Sequence, residues 1–267
     1  MDFAEALGRV RLGRLASQVL FYPTIGSTND VAGALATRRG DVEGAVVLAD
    51  EQTAGRGRRG HVWHSPPGSG LYVSVILGPG GARVDPDRAT MLVTLMAGVA
   101  LVEGIEAATG LRPDLKWPND LLVGGRKLAG ILSEGVGSGT HASPSRVSSV
   151  IVGYGINIAQ TAYPPDVAAR ATSLETELGR AVDRTLVFAQ TLASLAARYD
   201  DLLAGRFDAI LDAWRRLAPA AAGARVTWAS ATGSQSGVTA GIDDRGALLV
   251  RIGDRIERVV AGEVTWS

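Results

Sequence analysis

Gly44-Ala45-Val46-Val47-Leu48-Ala49-Asp50, continuing through Glu51-Gln52-Thr53-Ala54 into Gly55-Arg56-Gly57-Arg58-Arg59-Gly60, is the stretch that fixes how the rest of the chain is read. The first seven residues form a β-rich apolar run, and Leu71-Tyr72-Val73-Ser74-Val75-Ile76-Leu77 is the clearest strand of the sequence. The glycine-arginine hexapeptide therefore joins two strands. Glycine lets a backbone approach a ligand closely, and arginine carries a rigid fork of donors matched to carboxylate and phosphate oxygens. Such a loop reads as a basic flap for an anionic small molecule. The plainer alternatives are a solvated basic turn or a patch that touches nucleic acid.

Working outward, Val19-Leu20-Phe21-Tyr22 reads as a strand after a short helix over Ala4 to Leu15. Ile25-Gly26-Ser27-Thr28-Asn29-Asp30 then opens a helix running from Val31 to Arg39, with Ser27 or Thr28 as its N-cap. Met91 to Ala108 reads as a buried helix, too short and too polar to span a bilayer. Leu121 to Val123, the turn Gly124-Gly125 and Lys127 to Leu132 form a hairpin. Gly135 to Ser149, rich in Gly and Ser, reads as a mobile loop before the strand Val150 to Ile158, and edge strands near Val150 are candidates for pairing across a two-fold axis. Amphipathic patterns cover Asp183 to Leu203 and Phe207 to Leu217. Past the alanine-rich Ala218 to Ala224, four short strand patterns follow in under fifty residues, which suggests a small all-β barrel. The fold class is α/β, a mixed sheet with flanking helices over residues 1–220 and a small barrel over 221–267.

Composition narrows the function. The 267 residues carry 27 Lys+Arg against 27 Asp+Glu, so the formal net charge is zero, without the basic excess usual for a nucleic-acid binder. The absence of cysteine removes thiol nucleophiles, disulfides and Cys-based zinc sites. Met1-Asp2-Phe3-Ala4-Glu5 lacks the features of a signal peptide, and the expected location is the cytoplasm.

Lys116-Trp117-Pro118-Asn119-Asp120 is the second informative stretch. A lysine held between Trp and Pro at a strand mouth is a fixed point charge for carboxylate or phosphate. With the basic flap, a polar helix start and Gly153-Tyr154-Gly155, it suits an anionic, nucleotide-like ligand. The chain has neither a P-loop signature nor Gly-x-Gly-x-x-Gly after the first strand.

Taken together, Ser27-Thr28-Asn29, Gln52, Gly55 to Gly60, Lys116 to Asp120, Lys127-Leu128-Ala129-Gly130-Ile131 and Gly153 to Asn157 resemble the biotin–protein ligases in order and spacing over about residues 20–160. Ala261-Gly262-Glu263-Val264 resembles the end of that family's C-terminal barrel. The resemblance implies a catalytic core similar to class II aminoacyl-tRNA synthetases and an SH3-like closing barrel. It also implies ATP-dependent activation of biotin as biotinyl-5′-AMP, then transfer to a lysine of a biotin carboxyl carrier domain of acyl-CoA carboxylase. Carried onto this chain, Ser27, Thr28, Asn29 and Gln52 resemble contacts to the ureido ring. Arg56, Gly57 and Arg58 look like the flap on the carboxylate and phosphate. Lys116 resembles the lysine on those same groups and is the first choice for the largest catalytic loss. Gly55, Trp63, Asn119, Leu121, Lys127, Gly153, Gly155 and Asn157 complete the implied lining. Asn119 or Asp120 places Mg²⁺ or braces Lys116, and Mg²⁺ otherwise arrives on ATP.

Some members of that family begin with a DNA-binding repressor domain of about sixty residues. Ser27-Thr28 comes too early for one here, so a ligase without DNA binding or membrane attachment is expected, as a monomer or a ligand-linked homodimer. The flap, Thr53 to Ser65, is expected to be poorly ordered without ligand and to order when biotinyl-AMP binds. The alternatives are a lipoate or octanoate ligase or transferase, and a non-catalytic biotin or adenylate sensor.

Overall fold

The computed structural model describes residues 3–38, 42–137, 147–160, 165–230, 233–260, 262 and 264–266. Its main element is a seven-stranded mixed sheet in the order β1-β2-β3-β7-β6-β5-β4. The strands are β1 (Val19–Ile25), β2 (Val46–Gln52), β3 (Gly70–Leu77), β4 (Asp114–Lys116), β5 (Asp120–Val123), β6 (Arg126–Gly137) and β7 (Val147–Asn157). Only β1 and β2 run parallel, joined by α2 (Thr28–Arg38) as crossover; each later neighbour is antiparallel. All eight residues of β3 are buried, so both faces of the sheet centre are covered.

One face packs on α3 (Pro86–Thr109), α6 (Arg184–Leu203) and α7 (Phe207–Leu217) in the large core. Gly104 sets how close α3 and α6 come, because a Cβ there would lie 2.4 Å from Thr191 Cα. The other face carries α2 over Ala45, Val47, Ile76 and Ile151. The short helices α1 (Phe3–Gly8), α4 (Pro165–Ala168) and α5 (Leu174–Leu178) decorate this frame. By length and composition α3 could cross a membrane, which the shorter span Met91 to Ala108 concealed, but here it is mostly buried against the sheet and α6.

The C-terminal unit is a five-stranded antiparallel sheet, β11-β10-β9-β8-β12, from β8 (Ala222–Ser230), β9 (Gly233–Ile242), β10 (Leu248–Ile252), β11 (Arg255–Val259) and β12 (Val264–Trp266). The expected barrel is not closed: β11 and β12 end the order and are not paired with each other among the described residues. The unit docks through Trp117, whose Nε1 donates to Gly246 O at 3.0 Å.

Three further expectations are corrected. The first helix ends at Gly8 rather than running toward Leu15. Gly135–Gly137 end β6 and Val147–Ser149 begin β7, so only the middle of the expected loop, 138–146, lies outside the described residues. Val150 is no edge residue, since β7 sits between β3 and β6 and both its hydrogen-bonding sides are occupied. Ala261 and Glu263 of the barrel-end signature also fall outside the described residues.

Candidate active site

A cavity of about 400 Å³ opens over the β6–β7 half of the sheet, on the α2 face. Its floor is bare backbone at Gly130, Gly153 and Gly155, which the antiparallel register brings together as Gly130↔Gly155 and Leu132↔Gly153. Side chains are excluded there for a steric reason. A Cβ on Gly153 would sit 2.1 Å from Asn29 Oδ1, and one on Gly155 2.3 Å from Trp63 Nε1.

At one end the lining residues from α2 and β2 are polar and uncharged, with the Arg56–Glu134 pair beside Asn29. Gln52 Oε1 accepts from Thr28 N at 2.9 Å and Thr28 Oγ1 at 3.0 Å, so a side chain from β2 caps the first turn of α2. Gln52 Nε2 donates to Ser65 Oγ at 3.0 Å, tying in the far end of the flap. Ser74 Oγ lies 2.7 Å from Thr28 Oγ1 and 2.6 Å from Asn29 Oδ1, and its one proton serves one of the two. Ser27, Thr28 and Asn29 are buried, which goes beyond an ordinary helix cap.

The flap is a folded loop with its own ladder. Gln52 bridges Ser65, Arg56 bridges Val62, and Gly57 N donates to His61 O at 2.7 Å. Arg59 and Gly60 take positive φ, 57° and 80°, to turn the chain. Gly55 does not line the cavity. It allows the loop to close, since its Cβ would lie 2.4 Å from Trp63 O. Trp63 lies over the floor, and its Nε1 is buried with no hydrogen-bond partner among the described residues.

The other end is cationic. Arg58 Nη1 donates to Asn119 Oδ1 at 3.3 Å, and Asn119 Nδ2 bonds Ile131 O at 2.7 Å. Burial pushes the half-buried Arg58 guanidinium below its ordinary value; Asp120 pulls the other way and Arg59 adds to the lowering. Lys127 Nζ is 2.6 Å from Asp120 Oδ1 and 5.4 Å from the Trp63 ring centroid. Asp120 Oδ1 is buried without a directional hydrogen bond, and the ammonium is what compensates it. Lys116 also lines the cavity, 6.0 Å from the Trp266 ring on the C-terminal sheet. The pair Lys127–Asp120 thus lies over Gly130 beside Trp63, and Lys116 on the side facing the C-terminal sheet. Asp120 is engaged by Lys127 and Asn119 by Arg58, and the described residues contain no cluster of three or more His, Cys, Asp or Glu able to cage a metal.

Besides Gly55, two expected lining residues stand elsewhere. Leu121 is fully buried in the core, because strand alternation from Asp120 turns Leu122 rather than Leu121 to the cavity. Asn157 points behind the floor, donating to Thr172 O at 2.9 Å and bracing the chain beside Lys127. Ser74, Glu134 and Arg170 went unread in the sequence. Period two from Gly130 through Leu132 places Glu134 on the cavity face, and that pattern was legible. Arg170 comes to the cavity through the pairing of Lys127 with Ala171, which no local pattern announces.

The chain matches the family model described as the biotin/lipoate A/B protein ligase family over residues 23–157, and that of the biotin protein ligase C terminal domain over 223–265. It is 38% identical to the biotin–[acetyl-CoA-carboxylase] ligase of Paracoccus denitrificans, covering 84% of this chain and 90% of that protein. It is 36% identical to the bifunctional ligase/repressor BirA of Bacillus subtilis, covering 94% of this chain and 74% of that protein. The biotin protein ligase from Aquifex aeolicus in complex with biotin and ATP superposes with a TM-score of 0.78 at 25% identity, over 94% of this chain and 99% of the other.

Proposed function

Since the chain belongs to the biotin/lipoate A/B protein ligase family, we propose that its cavity is where biotin is activated and handed on, with the residues below in the roles given. The protein is a biotin–protein ligase: it spends ATP to make biotinyl-5′-AMP and transfers biotin to acetyl-CoA carboxylase. The observation that carries the site reading is the division of one cavity into a neutral hydrogen-bonding end and a cationic end under a single flap. A ureido ring needs donors and acceptors without charge, as Ser27, Thr28, Asn29 and Gln52 supply, with Ser74 holding Thr28 and Asn29 from behind. A carboxylate meeting a triphosphate needs cations, as Arg58, Lys116 and Lys127 supply.

In the first step a biotin carboxylate oxygen bonds to the α-phosphorus, the bond to the bridging oxygen breaks, and pyrophosphate leaves. Two anions must crowd together, and fixed cations favour that transition state over the separated reactants. Lys127, held by Asp120 over the glycine floor, takes the carboxylate and α-phosphate in this reading, in place of Lys116, to which the sequence resemblance gives that role. Lys116, on the side of the C-terminal sheet, is placed for the outer phosphates. Arg58, held by Asn119, spans the two. In the second step the neutral amine of the carrier lysine attacks the acyl carbon, the C–O bond to phosphate breaks, AMP leaves, and a proton is lost from nitrogen. Flap closure keeps water from the mixed anhydride in between. Mg²⁺ arrives with the ATP phosphates, whose charge it offsets.

The rest of the proposal is organisational. Residues 1–220 carry catalysis, and 221–267 close the cavity mouth through Gly262 and Val264. The carrier domain is the protein partner, the setting is cytoplasmic, and the zero net charge favours a ligase that does not act on DNA. The test is incubation with biotin, ATP, Mg²⁺ and a carboxyl-carrier domain. One biotinyl mass added at a single carrier lysine supports the reading. Transfer of lipoate or octanoate in place of biotin, or no transfer of any, contradicts it.

A further inference from the structure

Arg56 is the flap residue whose surroundings ligand recognition alone does not explain. Its Nη2 lies 2.8 Å from Asp30 Oδ1, in the first turn of α2, and 3.0 Å from Glu134 Oε2, on β6. The same Glu134 oxygen accepts from Asn29 Nδ2 at 2.6 Å. Asn29 is only 6% exposed, held by Ser74 and seated over Gly153. Arg56 is therefore reached by a continuous series of bonds from the cavity floor: Ser74, Asn29, Glu134, Arg56.

We propose that Asp30 and Glu134 are positioning residues for Arg56, which dock the glycine-arginine flap on α2 and β6 and tie its closure to the floor contact at Asn29. Single exposed ion pairs contribute little, but two carboxylates from separate elements converge here on one nitrogen, and one is oriented by a buried amide. Arg56 also forms the flap's inner bridge with Val62, so fixing Arg56 fixes the loop's first arm. The two carboxylates take two of the five guanidinium donors, so Arg56 can stay docked and still donate to an anion in the cavity. They also offset the mutual repulsion of Arg56, Arg58 and Arg59, which would otherwise hold the loop away from the protein. Resting on the adenylate-forming reading above, docking is what retains a hydrolysable intermediate until the acceptor lysine arrives.

The test uses the full chain with Asp30→Asn and Glu134→Gln, singly and together, each with and without Arg56→Ala. Deuterium uptake at amides 53–65 is measured without added ligand, and escape of labelled adenylate from the isolated complex is measured separately. Each charge removal is expected to raise loop uptake and adenylate escape about two- to five-fold, and roughly ten-fold together. Asp30→Glu, which keeps the charge, should restore most of the loss. In the Arg56→Ala background the same substitutions should add nothing. Wild-type uptake in the double variant, or equal increases with and without Arg56, would overturn the proposal. If the wild type made no adenylate, the assigned reaction would fail while the uptake measurement still decided this inference.

Discussion

Gly153→Ala is a sharp test of how the site is built. Gly153 has no positive φ, so alanine brings no backbone strain and the whole effect is steric. The new Cβ would stand 2.1 Å from Asn29 Oδ1, 2.8 Å from Cγ and 3.0 Å from Nδ2. The amide must withdraw by roughly 1 Å to reach van der Waals distance. It then loses the Ser74 bond and the shared Glu134 bond, about 1 kcal/mol for the neutral one and about 1.5–3 kcal/mol for the charge-assisted one. Alanine returns about 0.4–1 kcal/mol through the unfolded chain. The net expectation is a loss of about 2–3 kcal/mol of stability by urea unfolding at unchanged m-value. The KM for biotin in pyrophosphate exchange should rise roughly ten-fold or more as Asn29 leaves the ligand. Gly33→Ala is the control: it lies in α2 with open space around it and should stabilise by about 0.5–1 kcal/mol. Wild-type stability and wild-type KM in Gly153→Ala would refute the claim that Asn29 needs this bare strand.

Other expectations follow from different parts of the molecule. Gly104→Ala sets a Cβ against the Thr191 and Gln190 backbone of α6 and should cost about 1–3 kcal/mol or more, read as a fall in Tm with kcat retained in the folded fraction. Proteolysis within Thr53–Ser65 should slow when biotin and ATP are added together, and an unchanged rate would remove the flap from the mechanism. Burial pushes the Asp243 carboxyl up, but the Ala247 and Arg245 amides and the Arg258 guanidinium outweigh it and leave it below its ordinary value. A depressed pKa stabilises above the unfolded carboxylate value and is lost as pH falls through the folded one. The stability deficit of Asp243→Asn should therefore be full at neutral pH and shrink below about pH 4.

Much of the site could be read from residue order because its parts are local. Gly55 to Gly60 announces a loop by composition, Lys116 to Asp120 is contiguous, and Gly153-Tyr154-Gly155 marks a strand that something lies against. Asn29 and Trp63 turned out to be those neighbours. What stayed hidden depends on register and on meetings between distant segments. A one-residue shift in the β5–β6 pairing, with Leu121 opposite Ala129 and Leu122 opposite Lys127, brings Lys127 to the same cavity face as Gly130. The turn of Asn157 toward Thr172 needs a chain segment that the strand pattern does not contain. The partners of Asp120 and Arg56 are seven and seventy-eight residues away, and only the sheet brings the latter together. The same limit hid the central place of β7, since Val150 looks like any apolar strand residue until β3 and β6 are seen on either side.

The central claim is that this cavity joins biotin to the α-phosphate of ATP using the lysines on its cationic side. Isotope exchange between pyrophosphate and ATP, with biotin or lipoate, in the wild type, Lys127→Ala and Lys116→Ala, tests it most directly. The account predicts exchange that requires biotin and falls by two orders of magnitude or more, roughly the loss of one preorganised electrostatic contact to the transition state, in Lys127→Ala. Lys116→Ala should be impaired mainly through the KM for ATP. Exchange with lipoate alone, or full exchange in both lysine variants, would contradict it.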